Sequence, residues 1–494
     1  MRLKRMIAAL SAAVLLLGSA AGCGQKTENK EVRLKYIMAG DPDLDDNAKV
    51  WEAFNARLQE KLPGVTVDFE LIPLAEYRQK FMLMSSAREQ MDIVNNYRLD
   101  LFNEIKNGTF EPMNALLDEY GGQLKAALPE FMWDYQKYDG EIYGVPTYQM
   151  CGDFRGIFFF KEQAEKYLDI EGFKKALYKS PTFTQEVYDM LTKYIEDMKA
   201  DGLNFKSATV LNEKGYEPII SGLGYIVKGD ESCQIINKDM SDAARIRFKT
   251  AREWYEKGYI REDVLSATDD NNYMGKIDGF PFWDGVWTPF VAEQYSQKYG
   301  HELIVIPYED EYYIPSKNSA AGTSIMSTSK YKKEAMQVLN LIQTDKELYN
   351  MLVFGLEGEH YKKTGDDSVE VLDDNGTASN SKYALAKWLL GNTELAYNNQ
   401  FEPDAYKTWV FEEANRSEWK SPLLGFMPDT TDIQDYMTQL NVVTETYKKP
   451  LTVGVMSNWE EYLREYEAEL NKVGNKEMLA NVQNQIDEFL ANKA

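Results

Sequence analysis

The sequence predicts an α/β fold, on three observations. Strand and helix signals alternate through the first half of the chain, an apolar content of 44% with well-spread aromatics argues for a packed core, and beyond the N-terminus no run of 18 apolar residues exists. Val32-Arg-Leu-Lys-Tyr-Ile-Met38 alternates and then becomes apolar, as a strand entering a core does. It stops at the turn Gly40-Asp41-Pro42. Ala48 to Lys61 sets Trp51, Phe54 and Leu58 on one helical face and ends at Pro63-Gly64. Val65 to Ile72 is the next strand, Tyr77 to Ala87 the next helix, and Asp92-Ile-Val94 a short buried strand. Such a β-α-β-α-β run builds a parallel sheet with helices on both faces.

Helices dominate further on. Thr182-Phe-Thr-Gln185 fits a capping box opening a helix through Met198, and Thr344-Asp-Lys-Glu347 a second one leading into Leu348 to Val353. Ala244, Phe248, Ala251 and Tyr255 form one helical stripe; Ala335, Val338, Leu339 and Ile342 form another. The last 40 residues are helical in pattern, with Val482, Ile486 and Phe489 on one face. Thr364 to Ser381, rich in acids and small polar residues, reads as a hairpin turning at Asp373-Asp-Asn-Gly376.

A chain of 494 residues has room for two or three domains, and its net charge of −24 repels nucleic acid and anionic lipid. No cluster of Lys and Arg interrupts that acidity, so nucleic-acid binding is excluded as a function class. Cys151 and Cys233 fit either a disulfide outside the cell or two small buried apolar residues. The two histidines, His301 and His360, are too far apart for a local zinc or triad motif, and no metal or cofactor is expected.

The N-terminus carries an address. Arg2, Lys4 and Arg5 precede about a dozen apolar residues including Leu15, Leu16 and Leu17, and then Gly18-Ser-Ala-Ala-Gly22 leads into Cys23. That apolar stretch is shorter than the roughly 20 residues a spanning helix needs, so it reads as a cleaved export signal. The small residues before Cys23 resemble a bacterial lipobox, departing from it in Ala20, where Leu is commoner. The resemblance implies a signal peptide over 1–22, a lipid on Cys23, and a location on the outer face of the cell membrane. The polar run 24–31 reads as a tether. One acyl chain anchors only marginally and two hold firmly.

Several blocks, taken in order, resemble extracellular solute-binding lipoproteins of ABC importers, in the sugar-binding branch. They are Phe54-Asn-Ala-Arg with Leu62-Pro-Gly-Val-Thr-Val67, Gly108-Thr-Phe-Glu-Pro-Met-Asn-Ala-Leu-Leu117, Tyr138-Asp-Gly-Glu-Ile-Tyr-Gly-Val-Pro146 and Phe354-Gly-Leu-Glu-Gly-Glu-His-Tyr361. The tail from Ser421-Pro-Leu-Leu-Gly-Phe426 is similar to a C-terminal domain of uncharacterised role in one lipoprotein subgroup. The resemblance implies two α/β lobes of the type II periplasmic-binding-protein kind, a hinge, and a cleft gripping a carbohydrate. It also implies a permease partner, a monomer and no catalysis. The expected division places the first lobe at 32–145 with return segments near 285–345. The second lobe is expected at 146–284 with a continuation at 346–420, and a helical subdomain at 421–494.

Sugar recognition needs flat rings against the C–H face of a pyranose and planar polar groups for its hydroxyls, since a buried polar group left unmatched costs about 1–3 kcal/mol. Gly279-Phe-Pro-Phe-Trp-Asp-Gly-Val-Trp287 suits a loop presenting Trp283, Asp284 and Trp287 to a cleft, though it also fits an aromatic core plug. Tyr148 and Asp153 lie where the chain would pass between lobes; they are read as ligand contacts or hinge packing. Asp41 follows the first strand and Asn95 and Arg98 the third, where ligands of open α/β sheets sit. Glu357 belongs to a polar-aromatic cluster with His360 and Tyr361, and the resemblance places Trp388 near the cleft. Two other function classes remain. A glycoside hydrolase would need two carboxylates about 5–10 Å apart, and a peptide binder an open sheet edge. No Gly-x-x-x-x-Gly-Lys motif is present, so an importer's energy would come from other subunits.

Overall fold

In the computed structural model the residues described are 31–493, apart from 153, 212, 221, 269, 310, 317–321 and 373–381. Cys23 and the tether lie outside them, as does the Asp373–Gly376 turn. Along the chain, β1 (Val32–Ala39), α1 (Asn47–Lys61), β2 (Val65–Ile72), α2 (Tyr77–Ala87) and β3 (Ile93–Asn95) alternate as expected, and β4 (Val145–Pro146) follows. Then come β5 (Arg155–Phe160), α3 (Gln185–Ala200), the hairpin β6 (Tyr216–Ile220) and β7 (Gly224–Val227), α4 (Asp242–Glu256), β8 (Phe282–Val286) and β9 (Leu303–Pro307). β10 (Gly322–Ile325), α5 (Lys332–Thr344) and α6 (Lys346–Phe354) follow, and the chain ends with α7 (Gln434–Thr452), α8 (Trp459–Lys472) and α9 (Asn475–Lys493).

The first lobe is a five-stranded sheet in the order β2-β1-β3-β10-β4. β1 runs parallel to β2 and β3, and β10 runs antiparallel to both β3 and β4. Side chains of β1 alternate between two cores, as a strand covered on both faces requires. Leu34, Tyr36 and Met38 meet Val50, Phe54 and Leu58 of α1, whereas Ile37 and Ala39 meet Tyr77, Phe81 and Met84 of α2. The second lobe is built on the antiparallel sheet β8-β5-β9. Ile157 and Phe159 of β5 face the α3 side, and Phe158 and Phe160 face the other. The C-terminal helices form a third core, which they share with the β6–β7 hairpin and α4.

Three expectations of organisation are corrected. β8 and β9 pair with β5, so the second lobe runs on through residue 307, and of the return expected near 285–345 only the part from β10 onward lies in the first lobe. Leu348, Tyr349, Leu352 and Val353 of α6 pack into the core that holds α1, so the segment from 346 to Ala414 joins the first lobe rather than continuing the second. Neither capping box forms. Thr184 is the N-cap of α3 without a side-chain bond, and Asp345, not Thr344, caps α6 by accepting from the N–H groups of Glu347 and Leu348. Thr344 instead donates its hydroxyl to the carbonyl of Asn340 inside α5. Within the acidic hairpin region, Tyr361–Lys363 pairs with Ser368–Val371.

Among the described residues, three segments cross between the lobes, near 147–152, 311–316 and 414–421. The second and third are laced by backbone bonds from Ile314 N–H to the Trp419 carbonyl (3.0 Å) and from Ser421 N–H to the Ile314 carbonyl (2.8 Å). Asn415 laces the first to the third: its Oδ1 accepts the Cys151 N–H and its Nδ2 donates to the Gln149 carbonyl, each at 2.8 Å. Cys151 and Cys233 are both buried and unbonded to each other, which settles the cysteine alternatives in favour of small buried residues. No described helix is long and apolar enough to cross a membrane.

Candidate functional site

A cavity of about 370 Å³ opens where the lobes face one another. Tyr97 and Trp388 line it from the first lobe, Val286 at the end of β8 from the second, Gln149 and Met150 from the first crossing segment, and Phe154 from just beyond it. The first-lobe arm adds Thr393, Asn398, Glu402, Tyr406, Lys407, Val410 and Phe411.

Its aromatic wall is assembled by Asn95. This residue is fully buried at the end of β3, accepts the Tyr97 N–H at 3.2 Å and donates to the Leu389 carbonyl at 2.8 Å. One carboxamide thus fixes the neighbours of both rings, and Tyr97 meets Trp388 edge-on with centroids 5.0 Å apart at 79°. A short π-helical turn, Trp409–Glu413, contributes Val410 and Phe411 to the lining, whereas Trp409, buried like them, does not line the cavity. Trp409 donates its indole N–H to Tyr312 Oη at 3.1 Å, and Trp287 stacks on Tyr312 at 6.0 Å. A π-turn adds a residue to the helical ring, a device found at functional sites.

The charges in the cavity come in pairs. Lys387 bonds Glu402, and Lys407 bonds Asp367 at 2.6 Å, with Lys346 on the same carboxylate. Burial holds Lys407 below the usual lysine range, against the pull of Asp367. Burial, helped by Glu402, pushes Tyr406 up to about 12, so its hydroxyl remains a neutral donor and acceptor. Apolar ring faces beside fixed, charge-compensated polar groups suit an uncharged polar ligand with an apolar face. Among the described residues no group of three His, Cys, Asp or Glu could hold a metal ion.

Of the residues expected to touch ligand, Trp388 lines the cavity. Trp283 does not. It is 4% exposed, sits opposite Phe158 across the β8–β5 ladder and stacks on it at 5.4 Å, so it is the core plug. Trp287 is half-buried against Tyr312 and Trp409, beside the cavity rather than in its lining. The Asp284 carboxylate is engaged by Arg155 at 2.8 Å. Tyr148 is buried, with its ring 4.8 Å from Phe411, and packs the crossing. Asn95 positions the wall instead of lining it. Asp41 is exposed and closes a turn by accepting the Asp43 N–H at 3.0 Å. Arg98 is exposed in a left-handed conformation, over the ring of Tyr97. Glu357 is exposed and pairs with Lys363 at 3.2 Å, outside the lining. Asp153 lies outside the described residues.

Sequence reasoning missed Lys387, Asn398, Glu402, Tyr406, Lys407 and Phe411. The adjacent Lys387-Trp388 and the aromatic run Tyr406 to Phe411 were signals, but the π-turn breaks the 3.6-residue period that would have grouped them.

Residues 422–491 match a family model described as a domain of unknown function, DUF3502. The chain is 25% identical to a carbohydrate ABC transporter substrate-binding protein of Streptococcus pneumoniae, over 99% of each chain. It is 22% identical to the fructooligosaccharide ABC transporter substrate-binding protein FusA of the same organism, over 93% of this chain and 91% of that one. Its fold matches the crystal structure of the N-glycan transport solute-binding protein NgtS from Streptococcus pneumoniae with a TM-score of 0.74. That match has 23% identity and covers 94% of this chain and all of the other. Along nearly its whole length the chain is thus similar to ABC-transporter substrate-binding proteins, and it has the two-lobed fold of the solved ones.

Proposed function

We propose that this protein is the extracellular substrate-binding component of a carbohydrate ABC importer, capturing an oligosaccharide between its lobes and delivering it to the membrane permease. The observation that carries this reading is the cavity walled by Tyr97 and Trp388 on one lobe and by Val286 on the other, with paired polar groups between. Rings there can lie against the C–H faces of a sugar, and Asn398, Glu402, Gln149 and Lys387 can meet its hydroxyls. A ligand touching both lobes shifts their opening equilibrium toward closure, which a permease can read. The names of the relatives, one for N-glycan and one for fructooligosaccharide, support a glycan over a peptide.

The N-terminal pattern supports cleavage before Cys23, lipid attachment there and a place on the outer face of the cell membrane; the monomer is what the family resemblance implies. Calorimetry of the purified chain against neutral oligosaccharide and peptide panels tests the function. Binding of a glycan that Trp388→Ala weakens is the expected result. Binding of a peptide with every glycan silent overturns the reading, as does hydrolysis of a glycan that one carboxylate substitution abolishes.

A further inference from the structure

The C-terminal module shares its core with the β6–β7 hairpin of the second lobe: Ile219, Ile220, Leu223 and Ile226 pack with Leu440, Leu463 and Ile486. Two residues before Ile219, the buried Glu217 holds the second crossing segment with both carboxylate oxygens. It accepts the Tyr313 hydroxyl on one, and the Ser316 N–H on the other at 2.7 Å. The third crossing segment is laced to that one, and its Trp419 lies 4.8 Å from the Tyr313 ring. Module, hairpin and two of the three crossing segments are therefore one mechanical body.

The same module also reaches the first lobe. Gln485 of α9 clamps the backbone of Asp429, accepting its N–H at 2.7 Å and donating to its carbonyl at 2.9 Å. The Asp429 carboxylate so fixed faces Lys106 of the first lobe at 3.8 Å. A surface pair of this kind adds little to global stability, because water screens it and the side chains stay partly free. Its length, however, depends on the angle between the lobes, since one end belongs to each body. A weak contact suffices to bias an equilibrium between two open conformations that differ by little in free energy.

We propose that the C-terminal module is an interlobe brace, with Lys106 and Asp429 as its adjustable strut, setting how far the unliganded cleft opens. The inference goes beyond the transport reading, and its test uses no ligand, so it stands or falls separately from the identity of the cargo. Spin labels are placed at the exposed positions of Glu89→Cys in the first lobe and Glu171→Cys in the second, in a Cys23→Ser background, and the interlobe distance distribution is measured. Lys106→Asp and Asp429→Lys should each shift that distribution, and the double variant Lys106→Asp/Asp429→Lys should restore it. Raising NaCl to 1 M should shift the parent chain and leave Lys106→Gln/Asp429→Asn unmoved, because salt screens exposed charges at this range. Single variants whose distribution matches the parent, or a charge swap that fails to restore it, overturn the proposal. Melting temperatures equal to the parent's in every variant exclude a simple loss of fold, as expected for half-exposed side chains.

Discussion

Tyr97 and Trp388 form an aromatic pair that lines the cleft from the first lobe, meeting edge-on at 5.0 Å. Both depend on Asn95, whose carboxamide bonds the Tyr97 N–H and the carbonyl next to Trp388. The rings present surface to a ligand while a buried amide behind them sets the spacing.

That division of labour separates two variants. Trp388→Ala should weaken the best-bound glycan roughly 10–100-fold, the loss of about 1.5–3 kcal/mol of aromatic burial on binding. The melting temperature should move little, because Trp388 is only half-buried in the free protein. Titration calorimetry with a melting curve decides it; an unchanged affinity removes Trp388 from the site.

Asn95→Ala should show both effects. It strands a buried N–H and a buried carbonyl, at about 1–3 kcal/mol of stability, and lets the ring pair drift. Urea unfolding and glycan affinity should fall together, and restoring neither with Asn95→Asp is expected because the acid cannot donate to the Leu389 carbonyl at neutral pH.

Trp283→Ala should act on folding alone. Deleting a stacked, buried indole costs about 3–5 kcal/mol. Protein that remains folded should keep an affinity near that of the parent. A loss of affinity exceeding the loss of stability would return Trp283 to the ligand site.

Acid should loosen the junction between the second lobe and the C-terminal module. Burial works against ionisation of Glu213, yet Arg247, Lys238 and Lys448 outweigh it and hold the carboxyl at about 2. The folded value lies below the unfolded one, so the stabilisation is complete above about pH 4.5 and drains away as pH falls toward 2. Over that window the single group carries about 3 kcal/mol. Melting curves between pH 5 and 2 should therefore be flatter for Glu213→Gln than for the parent.

Cys23→Ala should release the protein from membranes of the expressing cell and leave its glycan affinity intact. Fractionation and calorimetry together check this. Retention of the variant on membranes would show that something other than a lipid on Cys23 tethers the chain.

Local chemistry decided the first lobe. The alternation in Val32–Met38, the stripe Phe54–Leu58 and the breaks at Gly40 and Pro63 specify β1, α1 and β2 without reference to the rest of the chain, because strand parity and helical period are properties of neighbouring residues. The same local rules were ambiguous at Thr344-Asp345, where a hydroxyl and a carboxylate compete for one cap and the carboxylate takes it.

What no local rule could decide was which apolar or acidic residues end in the cleft. Trp283 and Val286 lie on one strand, yet only pairing with β5 turns the indole inward onto Phe158 and leaves Val286 exposed. Lys387 meets Glu402, and Lys407 meets Asp367, only because α6 docks on α1 and carries the following arm back across the first lobe. The sequence by itself determined the elements of the first lobe and the acidity, since these reside in short runs and in composition. The site was decided by tertiary structure, because its walls come from segments far apart in the chain that close packing alone brings within reach.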